Sequence, residues 1–209
     1  CHDLPGYYGL SSGAWQHWCR VWGIEYDWLK DRFASQKLME ADGIPVSRWF
    51  DGVLEDEDNV DQPANIRAMV FWGHAPNSQT RNRDLKKALD KLDLVVVIDP
   101  VPTATAVMSD RSDGIYLLPA SSTMETSGSV TNSQRALQWR QKVVEPIFET
   151  KSDYEIINLF SEKFGLAERL FRTIEVRDGE PVPEDILREI NRGMWTVGYT
   201  GQSPERLKL

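Results

Sequence analysis

Hydrophobic and polar positions follow two different periods along the first 120 residues. Apolar and aromatic residues recur at spacings of three and four over residues 13–33, which predicts helix with one stripe packed into a core. We expect Gly23 to divide this stretch into two helices. Further on, the apolar runs become short and continuous, which is typical of buried strands. The sequence predicts three such strands, at 66–72, 94–98 and 115–120.

The order of these elements predicts a parallel sheet. Residues 83–92 have helical spacing between the first two strands, and 103–111 fit a short helix before the third. A β-α-β-α-β order joins parallel strands by right-handed crossovers. The predicted fold class is therefore α/β, a parallel sheet flanked by helices.

The remaining segments carry turn and helix signals. Residues 55–63 are acidic and polar and end in a proline, so we expect an exposed loop. Ser152 and Glu155 form a predicted capping box before a helix that Gly165 stops. Residues 183–193 predict a second helix, with a turn at 176–181 between the two. The fold prediction therefore includes helical N- and C-terminal segments.

Composition excludes several functional classes. The net charge of −8 leaves no excess of Lys and Arg to neutralise phosphates, which argues against non-specific nucleic-acid binding. No apolar run approaches the roughly 20 residues that cross a bilayer. Cys1 and Cys19 make neither a disulfide framework nor a Cys-x-x-Cys pair. Cys1, His2 and Asp3 could form a metal corner, but a loop is the favoured interpretation, and we assign no catalytic or metal-ligating residue.

Three polar loops follow the three predicted strands, at 73–80, 99–106 and 119–132. Ligands of open parallel sheets bind beyond the carboxyl ends of the strands. These loops are rich in Gly, Ser, Thr, Asn and Pro, whose backbone N–H groups and hydroxyls suit phosphate oxygens. Asp99 could accept hydrogen bonds from a ribose or a guanine edge, or could simply cap the next helix. Gly73 could simply turn the chain.

Common cofactor and hydrolase motifs are missing from the sequence. Neither Gly-x-Gly-x-x-Gly nor a Walker A pattern occurs, which argues against the usual NAD and ATP sites. His74 is the only histidine near the predicted sheet edge, and no Gly-x-Ser-x-Gly elbow accompanies it. Hydrolytic chemistry is therefore poorly supported.

Several longer stretches resemble one known family. They are LPGYYGL, VFWGHAPNSQT, LDLVVVIDPVPTATA, YLLPASSTMETSGSVTNSQRALQWR, DYEIINLFSEKFG and EINRGMWTVGYTGQSPERLKL. With these stretches the chain resembles the catalytic (alpha) subunit of bacterial formate dehydrogenases, within the molybdopterin oxidoreductase (DMSO reductase) superfamily. The start at Cys1, without an initiator Met, fits an internal segment of such a longer subunit.

The resemblance implies a Rossmann-like region that holds a molybdopterin guanine dinucleotide. It divides the chain into a helical, aromatic-rich segment at 1–60, the dinucleotide-binding region at 61–150 and a mostly helical segment at 151–209. The family's acidic or amide position after the first strand falls on Ala75, and Asn77 is expected to substitute for it. The implied cofactor-binding residues are Gly73, Asn77, Ser78, Asp99, Thr103, Ser121 and Gly128.

The resemblance also implies a function. Such subunits oxidise formate to carbon dioxide at molybdenum or tungsten held by a bis-molybdopterin guanine dinucleotide. Electrons leave through iron–sulfur centres, including a 4Fe–4S cluster outside this segment. Expected partners are the rest of the subunit, an iron–sulfur electron-transfer subunit and, as a further candidate, a membrane cytochrome subunit, all in anaerobic respiration. A periplasmic or membrane-associated complex is favoured over a cytoplasmic one. The alternatives are another molybdopterin oxidoreductase, or a cofactor-free scaffold in an electron-transfer complex.

Overall fold

The chain forms two compact units in its computed structural model. The structure describes residues 12–41, 43–75, 81–132, 134, 136–193 and 201–209. One unit is continuous and runs from Ala41 to Ala120. The other combines Cys1–Glu40 with Ser121–Leu209. These are units of packing, so the predicted functional division at residues 60 and 150 stays a prediction.

Helices and strands are numbered in chain order. The unit Ala41–Ala120 contains a 3-10 helix (Val46–Arg48), α4 (Asp51–Leu54), α5 (Glu57–Val60), β1 (Ala68–Trp72), α6 (Asn82–Lys91), β2 (Leu94–Asp99), α7 (Thr105–Met108) and β3 (Ile115–Pro119). The other unit contains α1 (Ser12–Trp22), α2 (Tyr26–Lys30), α3 (Gln36–Met39), β4 (Gly128–Thr131), β5 (Leu137–Arg140), α8 (Asp153–Lys163), α9 (Ala167–Leu170), β6 (Val176–Arg177), β7 (Glu180–Pro181), α10 (Pro183–Gly193) and α11 (Pro204–Leu207).

Strands β1, β2 and β3 form a parallel sheet in that order, which confirms the predicted fold class. Strand β2 lies in the centre, and its residues Val95 to Ile98 are buried, as the continuous apolar run predicted. Helix α6 packs Leu85 and Leu89 into the same core as Val95. The core of this unit also contains Trp49, Phe50, Val53, Phe71, Ala88, Leu92 and Val97.

The aromatic stripe of the N-terminal helices is core packing, as predicted. Helix α1 ends at Trp22, and Gly23 follows with φ +67°, which separates it from α2. Trp15, Trp22, Tyr26, Trp28 and Phe33 pack against buried Cys19, Ile24, Leu29 and Met39. Helix α1 also contacts α10, which lies far away in sequence.

The predicted ends of the C-terminal helices are confirmed. The Ser152 hydroxyl accepts a hydrogen bond from the Glu155 N–H (3.1 Å), which caps α8. Gly165 has φ +69° and follows the last turn of α8. Among the described residues, no helix combines the length and apolar character needed to cross a membrane.

Two predicted loops contain regular structure. The acidic stretch 55–63 includes one helical turn, α5, with acidic residues at its start, which complement the helix dipole, and a left-handed residue at its end. The stretch 119–132 is not all loop, because β4 pairs antiparallel with β5. The predicted turn at 176–181 is confirmed: it joins β6 and β7, with Asp178 and Gly179 both at positive φ.

Candidate functional site

The carboxyl ends of the three parallel strands bring two predicted site residues to one edge. The Gly73 N–H donates to the Ile98 carbonyl (2.9 Å), which extends the β1–β2 ladder by one residue. The Ala120 N–H donates to the Asp99 carbonyl (3.2 Å) at the end of β3. Gly73 and Asp99 therefore lie where neighbouring strands end, the position at which parallel sheets bind ligands.

The backbone conformation at position 73 requires a glycine. Its φ of +58° is left-handed, and a Cβ placed there would meet no atom of the described residues within 4 Å. Without a side chain, Gly73 also leaves its backbone accessible to close approach. The predicted site residues Asn77 and Ser78 lie outside the described residues, so their roles stay predictions.

Asp99 shapes the turn that follows β2. Its Oδ1 accepts a hydrogen bond from the Val101 N–H (3.1 Å), an Asx turn. Helix α7 starts later, and its N-cap residue Ala104 makes no side-chain cap. The alternative that Asp99 caps this helix is therefore wrong. Among the described residues, no donor reaches Oδ2 by hydrogen bond, so one carboxylate oxygen is available to a ligand.

A pocket of about 200 Å³ opens beside Asp99. Its other lining residues are apolar: Val97, Pro100, Val101, Pro102, Leu117, Leu118 and Pro119. Apolar walls with a single carboxylate suit a ligand that has a flat apolar face and polar hydrogen-bond donors at its rim. A purine base attached to a ribose has this chemistry.

Two threonine hydroxyls follow the pocket residue Pro102 in sequence. Thr103 Oγ1 and Thr105 Oγ1 are buried and have no hydrogen-bond partner in the part of the chain that the structure describes, and Thr105 is 1% exposed. A buried hydroxyl without a partner costs about 1–3 kcal/mol, so such groups call for a water or a ligand. Together with Gly73 and Asp99, Thr103 fits a nucleotide by its chemistry. Binding by Gly73, Asp99 and Thr103 stays a prediction.

Ser121 and Gly128 belong to the other compact unit. The Ser121 N–H donates to the Lys151 carbonyl (2.8 Å), while its buried hydroxyl finds no partner among the residues that the structure describes. Gly128 has φ +155°, and a Cβ placed there would overlap the Tyr154 hydroxyl. Tyr154 therefore explains why this position must be small, whether or not a cofactor approaches it.

Glu125 fixes the loop between Ser121 and Gly128, although no sequence pattern indicates this role. Its buried carboxylate accepts hydrogen bonds from the backbone N–H groups of Ser122 (2.6 Å) and Ile147 (2.9 Å). These bonds lower the pKa of Glu125 below its usual value. The loop that contains Ser121 is thus tied to the segment before α8.

A second buried carboxylate, Asp51, was also missed, because it lies next to an acidic stretch that reads as exposed. It is 1% exposed and starts α4. Arg48 Nε donates to its Oδ2 (2.8 Å), and Arg81 Nη1 lies 2.9 Å from its Oδ1. The preceding Trp49 and Phe50, both buried, were the sequence signal that this segment enters a core.

Comparison with known proteins identifies the family. The model of the family described as Molybdopterin oxidoreductase matches residues 50–163, more than half of the chain. The chain belongs to the molybdopterin oxidoreductase family. The matched range includes β1 to β3, the pocket beside Asp99 and strand β4, which begins at Gly128.

Relatives with known names resemble parts of this molybdopterin oxidoreductase chain. A putative formate dehydrogenase of Staphylococcus haemolyticus is 33% identical over 87% of the chain. The alpha subunit of an F420-dependent formate dehydrogenase of Methanocaldococcus jannaschii is 34% identical over 69% of it. A trimethylamine-N-oxide reductase of Vibrio vulnificus is 34% identical over 65% of it. The chain spans 16%, 20% and 17% of these relatives, respectively. The resemblance read from the motifs is thereby confirmed.

A solved structure confirms the fold. Acetylene hydratase from Pelobacter acetylenicus superposes with a TM-score of 0.55 at 24% identity, over 97% of this chain and 23% of that chain. At this identity the similarity concerns the fold alone.

Proposed function

We propose that this chain is the cofactor-holding segment of a formate dehydrogenase catalytic subunit that contains molybdenum or tungsten. The family implies a molybdopterin cofactor, and we assign the guanine dinucleotide form to the pocket beside Asp99. The single observation that carries this assignment is the Asp99 carboxylate, which lines an apolar pocket and, among the described residues, accepts a hydrogen bond at one oxygen only.

Each residue has a separate task in this proposal. Asp99 accepts hydrogen bonds from the guanosine, and the apolar walls of the pocket exclude water from its base. Gly73 lets the backbone approach the ligand. The Thr103 hydroxyl donates to a phosphate oxygen, which would satisfy a buried group that has no partner within the described ranges. Asn77, Ser78, Ser121 and Gly128 complete the proposed set.

The bound metal and pterin supply the two-electron chemistry, while this chain holds and orients the cofactor. We assign no proton transfer and no contact with formate to residues 1–209. We further propose a second molybdopterin guanine dinucleotide and a 4Fe–4S cluster elsewhere in a longer subunit. Our proposed partners are an iron–sulfur subunit and a membrane cytochrome subunit, in a periplasmic or membrane-associated complex.

A second candidate function is another molybdopterin oxidoreductase, such as a reductase of trimethylamine N-oxide. The named reductase of Vibrio vulnificus supports it, with 34% identity over a shorter part of the chain. The longer match to a putative formate dehydrogenase, over 87% of the chain, favours formate. Formate-dependent dye reduction and N-oxide-dependent oxidation of reduced viologen, measured on the full-length protein, separate the two. A cofactor-free scaffold would contain no molybdenum or tungsten.

The Asp99 assignment can be tested in the full-length protein. Asp99→Ala removes a contact worth about 1.5–3 kcal/mol, so guanine nucleotide and metal per subunit should fall while the protein stays folded. Asp99→Asn should do less harm if the partner is a ribose hydroxyl, and more if it is the guanine N1–H and N2–H edge. Asp113→Ala, which removes an exposed carboxylate just before β3 and away from the pocket, is the matched control. Full cofactor content in Asp99→Ala, with only a lowered melting temperature, would refute the assignment.

A further inference from the structure

The parallel sheet of the unit Ala41–Ala120 has two faces, because successive side chains of a strand point in opposite directions. One face packs into the core of the unit, with residues Met69, Phe71, Val95, Val97 and Ile115. The alternate residues of the same strands lie on the opposite face, and the strand register aligns them in rows. We call the half of this face nearer the amino ends of the strands the second-face patch. It consists of Ala68, Val70, Leu94, Val96 and Tyr116.

The second-face patch is apolar, uncharged and largely exposed. Val70 is 49% exposed, Leu94 37% and Tyr116 57%. Val96, which lies between Val70 and Tyr116 in the register, is 7% exposed. The strands of parallel sheets are normally buried on both faces, and contiguous exposed apolar surface marks a site of contact. This patch therefore requires a cover.

The helices of this unit cover the other face of the sheet. Val53 of α4, Leu85 of α6 and Ala106 of α7 all pack into the core on that side. The crossovers β1–α6–β2 and β2–α7–β3 run in the same direction across the sheet, and right-handed crossovers of this kind place their helices on one face. A doubly wound sheet covers its second face with helices from crossovers that run in the opposite direction. The described part of the unit Ala41–Ala120 contains no such crossover.

We infer that an amphipathic helix from another part of the same, longer polypeptide covers the second-face patch. The chain spans only 16%, 20% and 17% of three named relatives, so a polypeptide of their length contains many further elements that could supply this helix. The patch lies at the amino ends of the strands, whereas the pocket beside Asp99 lies at their carboxyl ends. The inference therefore does not rest on the proposed function.

The chemistry of the patch favours a permanent cover over a partner that binds and leaves. Transient interfaces are more polar, whereas aliphatic side chains around one aromatic ring resemble the inside of a domain. The nearest charges in sequence, Arg67 and Asp93, neutralise each other, because Arg67 Nε lies 2.6 Å from Asp93 Oδ2. The patch thus offers no unpaired charge of this pair to attract a separate partner. A helix of the same polypeptide also has the advantage of a high effective concentration.

Photo-cross-linking in the full-length protein identifies the cover. The cross-linking residue p-benzoylphenylalanine replaces Tyr116, whose exposed ring leaves space for a larger one. The matched control carries it in place of Lys87, a side chain of α6 that is 69% exposed. We expect position 116 to cross-link, in higher yield than position 87, to a peptide of the same polypeptide outside residues 1–209. That peptide should have apolar residues at spacings of three and four.

Cysteine labelling measures the cover with smaller side chains. Val70→Cys, Tyr116→Cys and the control Lys87→Cys are treated with a maleimide in the folded full-length protein, and each labelled peptide is quantified by mass spectrometry. We expect labelling of Val70→Cys and Tyr116→Cys to be at least about tenfold slower than that of Lys87→Cys, because the covering helix must first open. In urea the three rates should become equal.

Each contrary outcome would overturn the inference. Labelling of Val70→Cys and Tyr116→Cys as fast as that of Lys87→Cys would mean that the patch is open to solvent. A cross-link to a second copy, to a separate subunit or to a peptide within residues 1–209 would assign a different cover. A cross-linked peptide without helical spacing would refute the helix. None of these readouts depends on guanine nucleotide, so failure of the proposed function would leave them intact.

Discussion

Substitution of Gly128 by alanine tests whether Tyr154 or the cofactor is the neighbour that requires a glycine at this position. The new Cβ would overlap the Tyr154 hydroxyl, and the backbone φ of +155° is one that side chains rarely adopt. An unfavourable backbone conformation costs about 1–3 kcal/mol, and overpacking costs a further 1–3 kcal/mol or so. We therefore expect Gly128→Ala to destabilise the β4–β5 hairpin by about 2–6 kcal/mol.

Removal of the Tyr154 hydroxyl separates the two contributions. In the double variant Gly128→Ala with Tyr154→Phe, the nearest remaining ring atom, Cζ, lies 3.3 Å from the Cβ, a close but tolerable contact. The overpacking part, about 1–3 kcal/mol, should then be recovered, while the backbone part remains. Tyr154→Phe alone should cost less than about 1.5 kcal/mol, because the ring is kept.

Hydrogen exchange of the β4–β5 amides in the full-length protein gives the free energy of opening, and guanine nucleotide is measured on the same samples. If only Tyr154 requires a glycine at position 128, the double variant recovers stability and nucleotide content together. If the cofactor also approaches here, stability recovers but nucleotide content does not. A double variant no more stable than Gly128→Ala would refute the steric reasoning.

Three further predictions follow from the structure. Glu125→Gln should lower the melting temperature at neutral pH. Because the fold lowers the pKa of Glu125, the stability that its carboxylate contributes is present above the unfolded-state pKa of about 4.3 and is lost in acid. The melting temperatures of wild type and variant should therefore converge at low pH. Leu85→Ala should lower the free energy of unfolding by about 2–5 kcal/mol and Val107→Ala by less than about 0.5 kcal/mol, because Leu85 is fully buried and Val107 is 78% exposed. A similar loss of unfolding free energy for both variants in urea would contradict this packing. Residues 1–209 alone should not oxidise formate, and dye reduction above a metal-free blank would overturn the assignment of the chemistry to other parts of the subunit.

The parallel sheet could be predicted because its signals are local. The run Val95–Ile98 is apolar without interruption, and helical spacing separates it from β1. Strand β4 could not be predicted in the same way, since Gly128 to Thr131 contains three small or hydroxyl residues that read as loop. Its strand state comes from pairing with β5, and strand propensity depends strongly on such context.

The candidate site shows the same contrast. The position of Asp99 at the sheet edge follows from the order of strands and loops, which the sequence displays. The Asx turn and the roles of Asp51 and Tyr154 depend on contacts with residues whose approach no local pattern reveals. Tyr154, for example, lies 26 residues from Gly128, and Arg81 lies 30 residues from Asp51.

The compact unit that combines Cys1–Glu40 with Ser121–Leu209 is interrupted in sequence, which has a consequence for synthesis on the ribosome. Residues 41–120 form a continuous unit, which can fold as soon as it emerges, whereas helix α1 packs against α10. About 160 residues separate these two helices, which at 5–20 residues per second means a delay of roughly 10–30 s. During this interval helix α1 lacks α10, the distant helix that it later contacts. We therefore expect the nascent chain to need a chaperone most between the completion of α1 and the emergence of α10.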